Sequence, residues 1–205
     1  GSGVAGAPKL GDKAAWGARV SQGYATLYDH SLKGIRGMPA KGGNPDLPEA
    51  DLANAVSYLF VEAGGKLICF DDSCELVIKR FNLPLKNVLS GLKRNEFYNP
   101  GSIVKLEVDT QNPLAKGLFK ETAAYFTNSS AFEIADETRV KTVARYAAKD
   151  SLLSGWMLGE KFINGKTALA ETAYGKGRII LFAFRPQHRG QSWATFPFIF
   201  NALEK

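Results

Sequence analysis

The chain has 205 residues, enough for one large domain or for one medium domain plus a small one, and its 45% hydrophobic and 22% charged residues are typical of a globular protein. Its net charge of +6 favours acidic partners, but the lysines and arginines are scattered, which argues against nucleic-acid binding. No apolar run reaches the roughly 18 residues of a membrane span, and the first residues lack the pattern of a signal peptide, so we expect neither in this sequence.

The first third of the sequence predicts three helices. Residues 12–20 and 22–33 carry apolar side chains three or four positions apart, the spacing of one helix face. A third helix is expected to begin at residues 47–51, where acidic side chains suit the positive end of the helix dipole. The Gly64-Gly65 pair then provides a stop signal. We therefore expect a small all-α segment over residues 1–59.

From residue 66 onward, short apolar runs bounded by polar or glycine residues predict β-strands. The predicted strands are residues 67–70, residues 102–110, short runs near 123 and 131, and residues 141–146. Residues 167–184 predict a hairpin that turns at residues 174–177. The pattern favours an α/β domain over residues 60–205, an open sheet with flanking helices and an antiparallel portion.

Two helices are expected within this second domain. Ser73 is expected to cap a helix that ends near Phe81. The side chains expected inside it are Leu76, Val77 and Ile78. The last helix is expected within residues 193–203, with Pro197 near its start.

The loop GIRGMPAKGGN, residues 34–44, holds Met38, one of two methionines in the chain. A thioether in a glycine-rich loop is a candidate axial ligand for haem iron. The alternative is that Met38 fills a gap in the loop, as methionine often does. Met38 is therefore a candidate metal ligand and also a candidate packing residue.

Residues 1–59 resemble a small bacterial class I cytochrome c. The motifs that carry the resemblance are GAP near the start, LGDKAAW, LYDHSLKG, and MPAKGGN followed by an acidic helix start. The resemblance implies that Met38 is an axial haem ligand, that the carbonyl near Pro8 supports the opposite histidine, and that Trp16 packs near the macrocycle. It also implies electron transfer and export to the periplasm.

The sequence departs from that family in one respect that bears on haem. The C-x-x-C-H motif, which attaches haem and supplies the proximal histidine, does not occur in it. Gly1 stands where the residue after that histidine would be, and the family's first helix is missing, so the apolar stripe of residues 50–63 is expected to lack its usual partner. His30 matches a helix residue of the family that does not bind iron. Haem would then be held without covalent links or with a partner chain.

Residues 60–204 resemble the C-terminal, non-peptidase region of bacterial zinc carboxypeptidase-like proteins. The motifs are LPLKNVL, FYNPGS, VDTQNPLA, YGKGR and FRPQHRGQ. The resemblance implies a fold similar to class I glutamine amidotransferases, with a peptidase domain or another protein as partner. The peptidase zinc ligands, H-x-x-E plus a distant histidine, are not expected here, because neither His30 nor His188 is followed three residues later by a carboxylate.

A thiol enzyme of amidotransferase type is a further alternative. Cys74 follows a predicted strand near a helix start, and His188 follows the last strand and would be its base. The amidotransferase motif is G-x-C-x-G, whereas this chain reads D-D-S-C-E, and three neighbouring carboxylates would raise the pKa of the thiol. The favoured interpretation is that Cys69 is a core residue and Cys74 a half-buried helix residue. A disulfide between them would require an oxidising compartment.

The segment Arg185 to Gly190 is a polar cluster at the end of an apolar strand. In open α/β sheets, ligands gather outside the carboxyl ends of strands. Arg185, His188 and Arg189 are therefore candidate ligands for a carboxylate or another small anion. The alternative, which we favour, is that these side chains bond loop carbonyls and cap the last helix.

The sequence as a whole predicts a non-catalytic binding or structural accessory module of an exported protein, fused to the cytochrome-c-like segment. The first alternative is a haem-binding electron-transfer protein that uses Met38. The second is the thiol enzyme on Cys74. Localisation is expected to be periplasmic or secreted, from resemblance alone. Whether the fusion is natural or chimeric stays open.

Overall fold

The computed structural model describes residues 7–9 and 12–204. The chain divides into two compact units. The first consists of residues 1–67 with residues 173–179, and the second of residues 68–172 with residues 180–205. The domain boundary expected between residues 59 and 60 stays a prediction. No helix in the described ranges is long and apolar enough to cross a membrane.

The first unit contains three helices: α1 (Lys13–Val20), α2 (Tyr24–Lys33) and α3 (Glu49–Glu62). All three were predicted. The Asp12 side chain caps α1 by accepting a hydrogen bond from the backbone N–H of Ala15 at 3.1 Å. Helix α2 begins two residues later than expected, because Gly23 has a φ of 84°, which is not helical.

The apolar stripe of α3, expected to lack its usual partner, is partly covered in the structure, where Leu59 and Phe60 are half-buried. Leu52, Val56 and Val61 are buried. Tyr24 of α2 contacts α3 through the Phe60 ring, with ring centroids 6.1 Å apart, and its hydroxyl donates to the Ala53 carbonyl at 3.3 Å. Part of the α3 surface is thus covered by α2.

The tip of a hairpin, Ala173–Ile179, belongs to the first unit and packs against α3. Its Lys176 N–H donates to the Glu62 carbonyl at 3.0 Å, and Tyr174 packs edge-to-face on Tyr58, with ring centroids 5.8 Å apart. A Cβ added at Gly177 would lie 2.2 Å from the Val61 carbonyl oxygen, so this position requires glycine.

Nine strands of the described residues form one mixed sheet, in the order β1-β9-β8-β6-β3-β4, with β2, β5 and β7 attached beside this path. The strands are β1 (Lys66–Phe70), β2 (Leu85–Asn87), β3 (Ser102–Val108), β4 (Glu121–Phe126), β5 (Phe132–Ile134), β6 (Val140–Tyr146), β7 (Leu152–Gly155), β8 (Thr167–Tyr174) and β9 (Gly177–Phe182). The β3–β4, β3–β6 and β6–β8 pairs are antiparallel. The predicted α/β class, with an antiparallel portion, is confirmed.

The core of the second unit is built from the inward face of the alternating strands. Along β3, Val104, Leu106 and Val108 are buried while Glu107 is exposed. Two helices accompany the sheet, α4 (Ser73–Arg80) and α5 (Phe196–Leu203). The second begins with Pro197 in its first turn, as predicted.

Helix α4 differs from the prediction in its cap and in its buried face. The N-cap position is Asp72, and the Ser73 hydroxyl instead bonds the backbone of Phe70. Leu76 is 53% exposed, whereas Cys74 is fully buried. The physical reason is that consecutive helical residues point about 100° apart, so Leu76, Val77 and Ile78 cannot all face one core.

Candidate functional sites

Met38 lies in a tight turn that directly follows α2. Its N–H donates to the Ile35 carbonyl at 2.9 Å, and its carbonyl accepts from the Ile35 N–H at 3.0 Å. Between them, Arg36 has a φ of 53°, as a tight two-residue hairpin turn demands. A Cβ added at Gly34 would lie 2.8 Å from the Met38 carbonyl oxygen. The backbone of Met38 is therefore held on both sides.

The Met38 side chain is presented outward from this turn. It is 41% exposed, and the neighbouring Ile35 is 37% exposed. Helix α2, against which the following loop packs, buries none of its side chains fully. The first unit thus leaves a partly exposed apolar surface that includes a thioether.

Trp16 and the segment around Pro8 are joined by one hydrogen bond. The Trp16 indole N–H donates to the carbonyl of Lys9, next to Pro8, at 2.8 Å. Both Trp16 and Pro8 are half-buried. The structure therefore brings two of the three predicted haem-contacting residues together, while Met38 is held by a separate turn.

Arg185 pairs with a buried carboxylate that the sequence reasoning had not assigned to it. Its Nε lies 2.7 Å from Asp71 Oδ2, and the Asp71 side chain is 3% exposed. Asp71 turns the chain from β1 into α4 with a φ of 53°. Burial raises the pKa of Asp71 to about 7, although the Arg185 guanidinium lowers it. The Arg185 guanidinium thus forms an ion pair with a carboxylate of the chain itself.

His188 and Arg189 have different surroundings from Arg185. The His188 ring stacks on Tyr125, with centroids 4.6 Å apart. Arg189 is exposed and has a φ of 49°. The loop carbonyl of Pro186 accepts its hydrogen bond from the Thr195 hydroxyl at 2.8 Å, a donor that sequence reasoning missed. Anion binding by Arg185, His188 and Arg189 stays a prediction.

Both cysteines are free and buried. The Cys74 thiol donates to the Phe182 carbonyl at 3.3 Å. Burial raises the pKa of Cys69 to about 12 and raises that of Cys74 further, with Cys69, Asp71 and Asp72 adding to the shift. Cys74 was expected to be half-buried and is fully buried instead, because α4 turns this position toward the core. A thiol held in its protonated form is a poor nucleophile, which argues against the thiol enzyme.

The second unit contains a polar cavity of about 280 Å³ that the sequence analysis did not foresee. Its walls are Asp72, Glu75, Asn87, Leu89, Ser90, Phe97, Tyr98, Asn99, Phe126, Asn128, Ser129 and Ser130. Asn99 is 5% exposed, and its Nδ2 has no hydrogen-bond partner. Tyr98 and Asn99 lie in the loop between β2 and β3. Their convergence depends on contacts between segments far apart in the chain.

Curated proteins match only the N-terminal part of the chain, and no protein-family model matches it. Cytochrome c-555 of Chlorobaculum tepidum is 53% identical over 62 residues, which are 28% of this chain and 57% of that protein. Cytochrome c-555 of Chlorobaculum thiosulfatiphilum is 48% identical over 62 residues, 28% of this chain and 72% of that protein. The N-terminal segment belongs to the cytochrome c-555 family.

Solved structures give matches of two kinds. A cytochrome c in an electron-transfer complex with nitrite reductase is 47% identical over 29% of this chain and 73% of its own, with a TM-score of 0.28. A protein from Bacteroides uniformis described as ThuA-like is 12% identical and covers 96% of this chain and 85% of its own, with a TM-score of 0.44. The β-galactosidase of Bacillus circulans has a TM-score of 0.44 and 13% identity, over 73% of this chain and 20% of its own. These TM-scores are low, and no conclusion about function follows from them.

One residue of the cytochrome c-555 segment is of a type that binds haem iron. Met38 offers a soft sulfur donor from a fixed turn, which suits haem iron. Within the described ranges, no group of three or more His, Cys, Asp or Glu residues is arranged to hold a metal ion. Cys69 and Cys74 belong to the second unit and are buried.

Proposed function

We propose that the cytochrome c-555 segment is a haem-binding electron-transfer module with Met38 as an axial ligand. One observation carries the proposal: a 41% exposed thioether on a doubly hydrogen-bonded turn, in a segment 48% identical to a cytochrome c-555. Haem, when bound, supplies one-electron redox chemistry. The alternative that Met38 merely fills a gap is weakened by its exposure, because a gap-filling side chain is buried.

The residues of this segment would hold the iron ligand in place and shield the macrocycle from water. The turn from Ile35 to Met38 fixes the backbone of Met38, so little backbone freedom would be lost when the sulfur binds iron. Trp16 would lie against the macrocycle and exclude water from it, and the carbonyl near Pro8 would support the opposite histidine. The proximal histidine would come from a preceding segment or from a partner chain. A protein redox partner and a periplasmic or secreted location follow from the family resemblance.

The second unit is proposed to be a non-catalytic accessory module of the glutamine amidotransferase-like type, as in zinc carboxypeptidase-like proteins. One observation supports a role other than thiol catalysis: both thiols are buried with raised pKa values. Its partner would be a peptidase domain or another protein.

The test is a haemin titration followed by absorbance, on the unchanged protein and on Met38→Leu. The expected result is a Soret band that shifts in position and weakens in affinity when the thioether is lost. Met157→Leu is the matched control, since Met157 is the other methionine and packs against the core of the second unit. The same spectrum and affinity in Met38→Leu would overturn the proposal, as would no haemin binding when imidazole is added as the opposite donor.

A further inference from the structure

Four large apolar side chains of the second unit are strongly exposed. Phe119, Trp193, Phe200 and Leu203 are between 61% and 83% exposed, more than any other large hydrophobic side chain in the described residues. Single exposed apolar residues are normal on a protein surface, whereas a group of them marks a binding surface. These four residues are called the α5 surface below, because two of them lie on α5.

Hydrogen bonds hold the segment that carries Phe119 against α5. The Asn201 side chain of α5 donates from Nδ2 to the Lys116 carbonyl at 2.9 Å. At the start of β4, the Thr122 hydroxyl donates to the carbonyl of Ala194, in the turn before α5, at 3.4 Å. Phe119 is in the short segment between these two attachments. It therefore lies beside α5 and beside the turn that leads into it.

Helix α5 turns one face inward and another outward. Phe198 and Ala202 are buried and form the inner face. Because successive helical residues are about 100° apart, Phe200 and Leu203 point away from that face. In the turn before the helix, the indole N–H of Trp193 donates to a loop carbonyl, which fixes the ring. The four apolar side chains are thus presented from well-held backbone.

The α5 surface has the size of one side of a protein–protein interface. A buried aromatic side chain covers about 150–250 Å². At the exposures found here, the three aromatic side chains present on the order of 400 Å², to which Leu203 adds. An interface of standard size takes about 800 Å² from each partner, of which about 60% is apolar. The four side chains therefore supply most of the apolar area that one partner of a stable dimer contributes.

The charged residues near the α5 surface are of both signs. Lys116, Lys120 and Arg189 are exposed, and so are Glu121 and Glu204. An anionic lipid surface would be matched by basic residues alone. A surface that meets its own copy across a two-fold axis needs both signs, because the basic groups of one copy then face the acidic groups of the other. The charge pattern therefore favours a second copy of this chain as the partner.

We propose that the α5 surface is the interface of a two-fold symmetric dimer of this chain. The apolar side chains of the two copies pack against each other at the centre, and the lysines of one copy face the glutamates of the other at the edge. The proposal concerns residues of the second unit and does not rest on the proposed haem ligand. Either proposal can fail without the other.

Sedimentation velocity on the full chain, from about 1 μM to about 200 μM, tests the proposal. We expect a reversible monomer–dimer equilibrium with a dissociation constant in the micromolar range, because a surface of this size makes a small interface. Phe200→Glu places a charge in the α5 surface and is expected to weaken dimerisation at least about tenfold. Trp193→Ser, which removes apolar area without adding charge, should weaken it as well.

Leu76→Glu is the matched control. Leu76 is also an exposed apolar residue on a helix of the second unit, but it lies on α4 and outside the α5 surface. Its substitution should leave the monomer–dimer equilibrium unchanged. Circular dichroism checks that each variant is folded.

The proposal is overturned if the protein sediments as a monomer over the whole range, if Phe200→Glu leaves a dimer intact, or if Leu76→Glu weakens the dimer equally. Flotation with vesicles of phosphatidylglycerol examines the other occupant. If the protein stays monomeric and binds these vesicles, and Phe200→Glu abolishes the binding, the α5 surface contacts an anionic membrane and the dimer proposal fails.

Discussion

Asp71 carries its carboxylate in the interior, beside the half-exposed guanidinium of Arg185. Burial raises its pKa to about 7, whereas an aspartate in an unfolded chain has a pKa of about 3.9. Between these two values the folded protein binds a proton that the unfolded chain has released. The contribution of Asp71 to stability is therefore present at low pH and is lost as pH rises toward and through 7.

We predict that the free energy of unfolding falls between pH 5 and pH 8, and that Asp71→Asn reduces this fall by on the order of 2 kcal/mol. The reason is that asparagine does not titrate. Urea unfolding at each pH measures the effect. Glu133→Gln is the control, because hydrogen bonds from Lys166 and Lys86 lower the pKa of Glu133 to about 2, outside this window. Parallel pH profiles for the unchanged protein and Asp71→Asn would contradict the prediction.

For individual residues, the sequence predicted those that lie in a short contiguous motif. It missed those whose role depends on contacts with residues far away in the chain. Met38 could be found because its glycine-rich loop is contiguous. The pairing of Asp71 with Arg185, and the unpaired amide of Asn99, could not be found, since each arises where separate strands end near one another. The burial of Cys74 was missed because it depends on which face of α4 meets the sheet.

At the scale of elements, the turn after α2 tolerates a side chain at Gly37 but not at Gly34. Gly34 has a φ of 84°, and a Cβ there would lie 2.8 Å from the Met38 carbonyl oxygen and 2.9 Å from the Ala40 nitrogen. Gly37, in the same turn, has no atom within 4 Å of an added Cβ and no left-handed φ. The two glycines therefore form a matched pair.

We predict that Gly34→Ala lowers the free energy of unfolding of the first unit by about 1–3 kcal/mol, because a left-handed position and a backbone clash are both violated. Gly37→Ala should change it by less than about 0.5 kcal/mol. Urea unfolding followed by tryptophan fluorescence and amide hydrogen exchange at residues 35–44 measures both. Equal effects of the two substitutions would show that the turn is not held as described.

The helices of the first unit and the hairpin of β8 and β9 were predicted because their periodicity and stop signals are strong. Strands β2 and β7 were missed because they have only three and four residues, and β7 is largely exposed. An exposed short strand has no apolar alternation to reveal it. Strand β7 pairs with β3, so its position in the sheet depends on that partner strand.

At the scale of the whole molecule, the first unit is not continuous in sequence. Residues 173–179, from the middle of the hairpin, complete it against α3. We predict that Gly177→Ala destabilises this unit by more than about 2 kcal/mol, since the added Cβ meets the backbone carbonyls of Val61 and Gly65. The loss of protection of the α3 amides in hydrogen exchange measures it, with Gly17→Ala, which meets nothing within 4 Å, as the control.

The discontinuity also has a consequence for the order of events during synthesis. Because chains emerge from the N-terminus and domains fold as units, residues 1–67 leave the ribosome well before the hairpin tip that packs on α3. Until the hairpin tip has been synthesised, Tyr58 and Val61 of α3 lack their contacts with Tyr174 and Gly177. The segment that holds Met38 is therefore made earlier in synthesis than the hairpin tip that completes its unit.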